Sequence, residues 1–162
     1  MTITKITEPC WQGILTVQAQ AYSGVSPESL NVLKSKWQAS ADLCFVYKDM
    51  HNKVQGYLLA HSWNSQVPPK LFEILPNDSS GDVLYLHDLA ISHHTQGKGI
   101  AGQLFHKLWQ RAKIQPYQRI LLVAVQASER YWFKHGFREV PNATVCESYG
   151  KDATLMTLDL EK

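Results

Sequence analysis

Residues 83 to 125 restrict the fold more than any other part of the chain. Val83 to Ile91, VLYLHDLAI, is the strongest strand signal, a largely apolar run. It ends at SHHTQGKGIAG, Ser92 to Gly102, where Gly97, Gly99 and Gly102 fall within six residues. Ile100, Leu104 and Leu108 then recur at four-residue spacing with Phe105 and Ala112 beside them, which specifies an amphipathic helix that Pro116 ends. Arg119 to Val125, RILLVAV, is an apolar run of the kind buried on both faces beside a parallel neighbour. Strand, glycine loop, helix and strand in that order form a crossover unit, which requires helices layered against a sheet.

The flanking segments extend this plan. Ile3 and Ile6 lie in a short first strand ended by Glu8-Pro9, and Trp11, Ile14, Leu15 and Gln18 follow helical spacing up to Tyr22, where Ser23-Gly24 breaks the pattern. Ser26-Pro27-Glu28 reads as a helix start, with a Ser cap, a Pro at the first position and an acid in the first turn, and the helix runs to about Gln38. Leu43 to Tyr47 and Val54 to Ala60 read as a hairpin turning across Asp49-Met50-His51-Asn52. The connection from Trp63 to Asp82 is long for a compact domain; it reads equally as a substrate-side lid or as an excursion carrying a short helix around Leu71 to Ile74. Glu129 to His135 forms a shorter helix stopped by Gly136, and Thr154 to Leu160 a last strand. One α/β domain spanning residues 1 to 162 is expected, with a mixed central sheet of six to seven strands.

Gly97, Gly99 and Gly102 satisfy GxGxxG, but the setting differs from a dinucleotide site. Five residues separate Ile91 from Gly97, and the next strand ends in Val123-Ala124-Val125-Gln126 with no acid for a ribose. A Walker loop fails too, because Gly99 follows Lys98 where Ser or Thr would bind magnesium. Two readings survive: a helix N-terminus whose free amides hold an anion, with a diphosphate as the fitting guest, or a tight strand-to-helix turn, for which three glycines are more than enough. Gln96 adds an amide donor and Lys98 a mobile cation.

Gln96-Gly97-Lys98-Gly99-Ile100-Ala101 resembles the Q/R-x-x-G-x-G/A signature of the GNAT superfamily of N-acetyltransferases, whose loop grips the pyrophosphate of acetyl-CoA. Trp132-Phe133-Lys134-His135-Gly136-Phe137 is similar to the family's aromatic-x-x-x-Gly-Phe element, and the two motifs cover roughly residues 83 to 140. The resemblance implies a GNAT-like three-layer fold in which parallel strands 4 and 5 splay apart. The pantetheine arm would lie in the gap, paired with Leu89, Ala90 and Ile91, with Ile120 to Val125 as the second splayed strand. Gln96, Gly97, Lys98, Gly99, Ile100, Ala101, Gly102, Ser128 and Trp132 complete the cofactor-binding set it implies. The resemblance also implies that the amine attacks the thioester directly, so that no nucleophilic cysteine is required.

An aliphatic amine of pKa about 10 must first lose a proton. Asp88 and His87 are the candidate bases; strand alternation sends them to opposite faces, so only one would face the reaction. Asp88 is the favoured one, with a buried structural acid as its other reading. His93 and His94 are expected in solvent near the cofactor phosphates. The family's usual acid, a tyrosine, is replaced by Trp132; the neighbouring Tyr131, about 100° around the helix, is the candidate acid only if the helix is rotated or bulged, with solvent as the alternative proton donor. The usual Asn and Ala positions hold Val125 and Ser128. Trp132 also keeps open a second function, an acyl-CoA-binding sensor without turnover. Trp37, Trp63, Tyr149 and Glu147 could line an acceptor pocket, and each is also an ordinary packing or surface residue.

Charge narrows the partners. Sixteen basic and fourteen acidic side chains leave a net charge of +2, without the basic clustering of a nucleic-acid binder. Cys10, Cys44 and Cys146 form no CxxC pair and have no metal spacing, as expected of reduced structural thiols. No run approaches the roughly 18 apolar residues that cross a bilayer, and the first residues lack a signal-peptide core, so a cytoplasmic protein without membrane contact is expected. The partners implied are acetyl-CoA and a small-molecule, peptide or protein amine, and a homodimer is common in the resembled family.

Overall fold

The structure is a computed structural model that describes residues 2 to 22 and 26 to 161. Seven strands form one mixed sheet in the order β1-β2-β3-β4-β5-β7-β6, where β1 is Thr2–Lys5, β2 Phe45–Lys48, β3 Val54–Trp63, β4 Val83–Ile91, β5 Arg119–Ala124, β6 Arg138–Glu139 and β7 Thr154–Asp159. Among the described residues four α-helices cover it: α1 Trp11–Ala21, α2 Leu30–Ala39, α3 Ile100–Lys113 and α4 Glu129–Lys134. Among the described residues the parallel neighbours are β4 and β5; the other neighbouring pairs are antiparallel.

Two cores lie on opposite faces. On one, Ile100, Leu104, Phe105 and Leu108 of α3 pack with Leu84, Leu86, Ile120, Leu122, Trp132 and Phe137. Each such side chain contributes about 1.5–3 kcal/mol through burial, so this stripe rather than local propensity holds α3 in place. On the other face, Trp11, Ile14 and Val17 of α1 and Leu33 of α2 pack on Val46, Tyr57, Leu59 and Ala90. Trp63, Leu75, Val83, Tyr85 and Leu121 make a smaller third cluster.

The start of α2 differs from the sequence reading. The cap is Ser29, whose Oγ accepts Val32 N–H at 3.3 Å, not Ser26. Pro27 and Glu28 precede the helix because Glu28 is drawn inward, where its backbone N–H and C=O both bond the Gln18 amide at 3.3 Å. The Ser23-Gly24 break lies outside the described residues. The connection after β3 carries no helix: Leu71 to Glu73 are turns, and Phe72 takes a left-handed φ of 67°.

Two features of β4 shape the centre of the sheet. It pairs with β5 only from Val83–Arg119 to Tyr85–Leu121, so the strands part beyond that point. It also carries a bulge at His87, since Leu59 pairs with Asp88 but Ala60 with Leu86.

Candidate active site

The glycine loop sits at the mouth of the parted strands. Ser92 closes β4 by donating its N–H to Gln55 O at 2.8 Å and caps a 3₁₀ turn of His93–Thr95 through Oγ, which accepts His94 N–H at 3.2 Å. Gly97 and Gly99 then adopt φ of 81° and 76°, left-handed conformations that side chains disfavour, and Gly99 caps α3. A Cβ placed at Gly97, Gly99 or Gly102 would meet nothing within 4 Å, so the backbone faces open space. The first amides of α3 have no intrahelical acceptor and stand at its positive end beside exposed Lys98 and Gln96. Ile100 differs from its neighbours in the loop: its side chain is core, and only its main chain is offered. His93 and His94 are exposed, as expected.

Beyond Tyr85 and Leu121, β4 and β5 turn facing edges toward each other without pairing, while β3 and β7 satisfy their far edges as far as Ile91 and Ala124. Leu89, Ala90 and Ile91 therefore hold one free edge of a wedge. At the end of β5, Gln126 and Ala127 take left-handed φ of 54° and 59° and lead to Ser128, the cap residue of α4. Trp132 is packed edge-on against Phe105 and Phe137 in the core, which explains why an indole is tolerated there and leaves it little surface for a cofactor. Tyr131 packs against Trp132, and its hydroxyl is buried without a hydrogen-bond partner among the described residues. Burial raises the Tyr131 phenol above its ordinary value.

On the α1/α2 side, simple alternation fails. Leu84 and Leu86 share a face with Leu89 and Ile91, so the bulge reverses the parity and turns both His87 and Asp88 to the opposite side. Asp88 is 8% exposed; one carboxylate oxygen accepts the Tyr22 hydroxyl and the other the Tyr57 hydroxyl, the latter at 2.5 Å. Burial raises its carboxyl above the ordinary value, against the pull of His87 and of the two phenols. His87 Nε2 lies 2.6 Å from Glu28 Oε1, with side chains only 2% and 8% exposed. Burial works to raise the Glu28 carboxyl, but His87 beside it, the Phe72 N–H and Lys36 together hold it down to about 2. It is therefore a carboxylate, and His87 Nε2–H is the donor.

The connection from β3 to β4 is fastened over this pair. Glu28 Oε2 accepts Phe72 N–H at 2.9 Å, Ser35 Oγ accepts Leu75 N–H at 3.0 Å, and Lys36 Nζ donates to Glu73 O at 3.0 Å. Tyr149, in a 3₁₀ turn of Glu147–Tyr149, donates to Pro69 O and lies 3.1 Å from the Tyr85 hydroxyl. Of the four residues expected to line an acceptor pocket, Tyr149 reaches this side. Trp37 packs edge-on against Trp11, Trp63 donates Nε1–H to Val67 O at the root of the connection, and Glu147 is exposed.

Several participants escape a reading of the sequence. Along the chain Glu28 is a helix-start acid, and Tyr22 and Tyr57 are indistinguishable from packing residues. Lys36 is fully buried, and its place with Val32 and Leu33 on the apolar stripe of α2 is the available signal. His61, also fully buried in β3, donates Nδ1–H to Ser62 O at 2.8 Å, and burial lowers its imidazole to about 3. Cys44 is buried against Ala60 O with its thiol pushed up to about 12. Among the described residues no cluster of His, Cys, Asp or Glu is placed to hold a metal, and no helix is long and apolar enough to cross a membrane.

Comparison with known proteins places this geometry. The family model described as an acetyltransferase (GNAT) domain matches residues 30 to 160. Similar folds include the loading GNATL domain of CurA from Lyngbya majuscula, with TM-score 0.81 and 11% identity over 98% of this chain and 96% of that one. The GphF GNAT-like decarboxylase in complex with isobutyryl-CoA gives 0.80 and 12% over 99% and 100%. The ribosomal-protein-S18-alanine N-acetyltransferase from Escherichia coli gives 0.74 and 16% over 99% and 94%. No curated protein matches the sequence.

Proposed function

Because the chain belongs to the acetyltransferase (GNAT) domain family, we propose that it is an acetyl-CoA-dependent N-acetyltransferase acting on a primary amine by direct attack in a ternary complex. The observation that carries this reading is the conjunction of a wedge between β4 and β5 with left-handed Gly97 and Gly99 at its mouth. The residues present fit the cosubstrate: an open-faced run of free amides suits a diphosphate, and an unpaired strand edge suits an amide-bearing arm.

In this reading Gln96 to Gly102 hold the diphosphate, with Lys98 adding charge, and the free edge of Leu89, Ala90 and Ile91 aligns the pantetheine arm. Ser128 and the left-handed Gln126-Ala127 turn border the arm at the end of β5. Bound acetyl-CoA supplies an activated thioester at the parting of the strands. A base near His87 and Asp88 takes one proton from the attacking amine as the C–N bond forms and the C–S bond breaks. The Tyr131 hydroxyl, or water, returns one proton to the departing sulfur.

The test is calorimetric titration with acetyl-CoA, coenzyme A and NAD, followed by thiol release across small amines and peptides. Acetyl-CoA binding with amine-dependent thiol release supports the reading. Binding without release from any amine moves the assignment to an acyl-CoA sensor, and preference for NAD overturns both.

A further inference from the structure

We propose that Glu28 is a positioning residue: it fixes His87 in the tautomer that leaves Nδ1 as the proton acceptor for the attacking amine. The proposal rests on the acetyl-transfer reading above. Two candidate bases share one face, and their surroundings differ. Each oxygen of Asp88 already accepts a phenol hydroxyl, which ties the carboxylate to Tyr22 and Tyr57 and commits one lone pair on each oxygen. His87 has its Nε2–H committed to Glu28 Oε1 at 2.6 Å, while Nδ1 is buried with no hydrogen-bond partner among the described residues.

That asymmetry has a chemical meaning. A buried N–H without an acceptor carries an unoffset desolvation cost, so the resting state keeps the lone pair on Nδ1 and the proton on Nε2. A carboxylate behind Nε2–H then makes Nδ1 the basic atom and offsets the charge when it takes a proton, the logic by which an acid orients histidine in hydrolase triads. Glu28 is itself immobilised: Oε2 accepts Phe72 N–H at 2.9 Å, and its backbone is bracketed by the Gln18 amide.

His87 lies two residues beyond Tyr85, the last residue of β4 paired with β5, and two before Leu89 on the free edge. The charged and titratable groups around it are Glu28 ahead of α2, Lys36 on α2, His61 on β3, and Tyr85 and Asp88 on β4. In the step proposed, Nδ1 takes the amine proton as the C–N bond forms and the C–S bond breaks, and it returns that proton to water after the sulfur has been protonated.

The experiment has two arms. Nitrogen-15 NMR of histidine-labelled wild-type protein with acetyl-CoA is expected to show His87 at pH 8 protonated on Nε2 and bare on Nδ1; the opposite tautomer overturns the proposal without any reference to turnover. Thiol release by Glu28→Gln is expected to fall about 10²- to 10⁴-fold in kcat, the range for a general base that has lost the acid holding its tautomer. Acetyl-CoA Kd should be unchanged, and turnover should be partly rescued in Glu28→Asp. A loss that Glu28→Asp does not rescue, or no loss, overturns the positioning role even if acetyl transfer itself stands. A wild-type protein that binds acetyl-CoA but acetylates no amine sinks the acetyl-transfer reading and this proposal with it. Should Glu28→Gln fail to fold, the wild-type spectrum still decides.

Discussion

His87 and Asp88 are adjacent in β4 and turn their side chains to the same face of the sheet, because the bulge opposite Leu59 and Ala60 inserts one residue into the strand. The bulge lets Asp88 meet Tyr22 and Tyr57 while His87 meets Glu28. Asp88 thereby ties α1 to β3 and β4. Tyr57→Phe strips one donor from this buried carboxylate and is expected to destabilise the protein by about 1–3 kcal/mol in urea melts. Turnover per folded molecule should stay within about threefold of wild type, well under the effect of losing a general base. Intact stability with collapsed turnover would instead make Asp88 part of the chemistry.

Gly99 separates folding from binding. At φ 76° a Cβ costs about 1–2 kcal/mol, yet it meets no protein atom within 4 Å. Gly99→Val should therefore remain folded by circular dichroism while its side chain obstructs the anion's approach. Acetyl-CoA affinity is expected to fall at least about tenfold by calorimetry, a loss of about 1.4 kcal/mol or more. Retained affinity in a folded variant would remove the loop from the site.

Acid stability has a defined sign. Burial depresses the folded His61 imidazole from 6.5 to about 3, so the unfolded chain binds the extra proton and stability falls as pH drops from about 6.5 toward 3. Glu28, depressed from 4.5 to about 2, adds its own loss as pH falls below about 4.5. Asp88, raised by burial, works in the opposite sense, its contribution being lost as pH rises. His61→Gln should flatten the slope between pH 6.5 and 4.5 by up to about 1.4 kcal/mol per pH unit, the value for one proton. An unchanged slope in urea melts would show that His61 is not the group held neutral.

The three cysteines should separate by reactivity. Cys10 and Cys44 are buried, and burial pushes the Cys44 thiol up to about 12. Cys146 is partly exposed, and a hydrogen bond from Ser148 Oγ at 3.3 Å favours its thiolate and holds its thiol below the ordinary value. Mass spectrometry after brief iodoacetamide treatment should find Cys146 alkylated first in the folded protein and all three only after unfolding. Equal labelling would contradict the burial of Cys44.

What a local pattern can encode was legible. Apolar spacing over Ile100, Leu104 and Leu108 marked α3, the continuous runs marked β4 and β5, and three glycines marked the loop, because each signal lies within one element and depends on its own period. The parting of β4 and β5 came from the family resemblance of the same stretch. The arrangement on the α1/α2 side of the sheet was not legible, and the reason is specific. A bulge is a mismatch between two strands, so no count along β4 alone shows that His87 and Asp88 share a face. Glu28 and His87 are 59 positions apart, and only packing of α1 and α2 against the sheet brings them within 2.6 Å. The start of α2 lies at Leu30, with Ser29 rather than Ser26 as its cap and Glu28 ahead of the helix beside His87. By itself the sequence determined the order of the elements and the glycine loop that joins β4 to α3. Tertiary structure alone decided which titratable side chains meet on the α1/α2 side, because a proton's preference among them depends on distances and burial that exist only once the layers have closed.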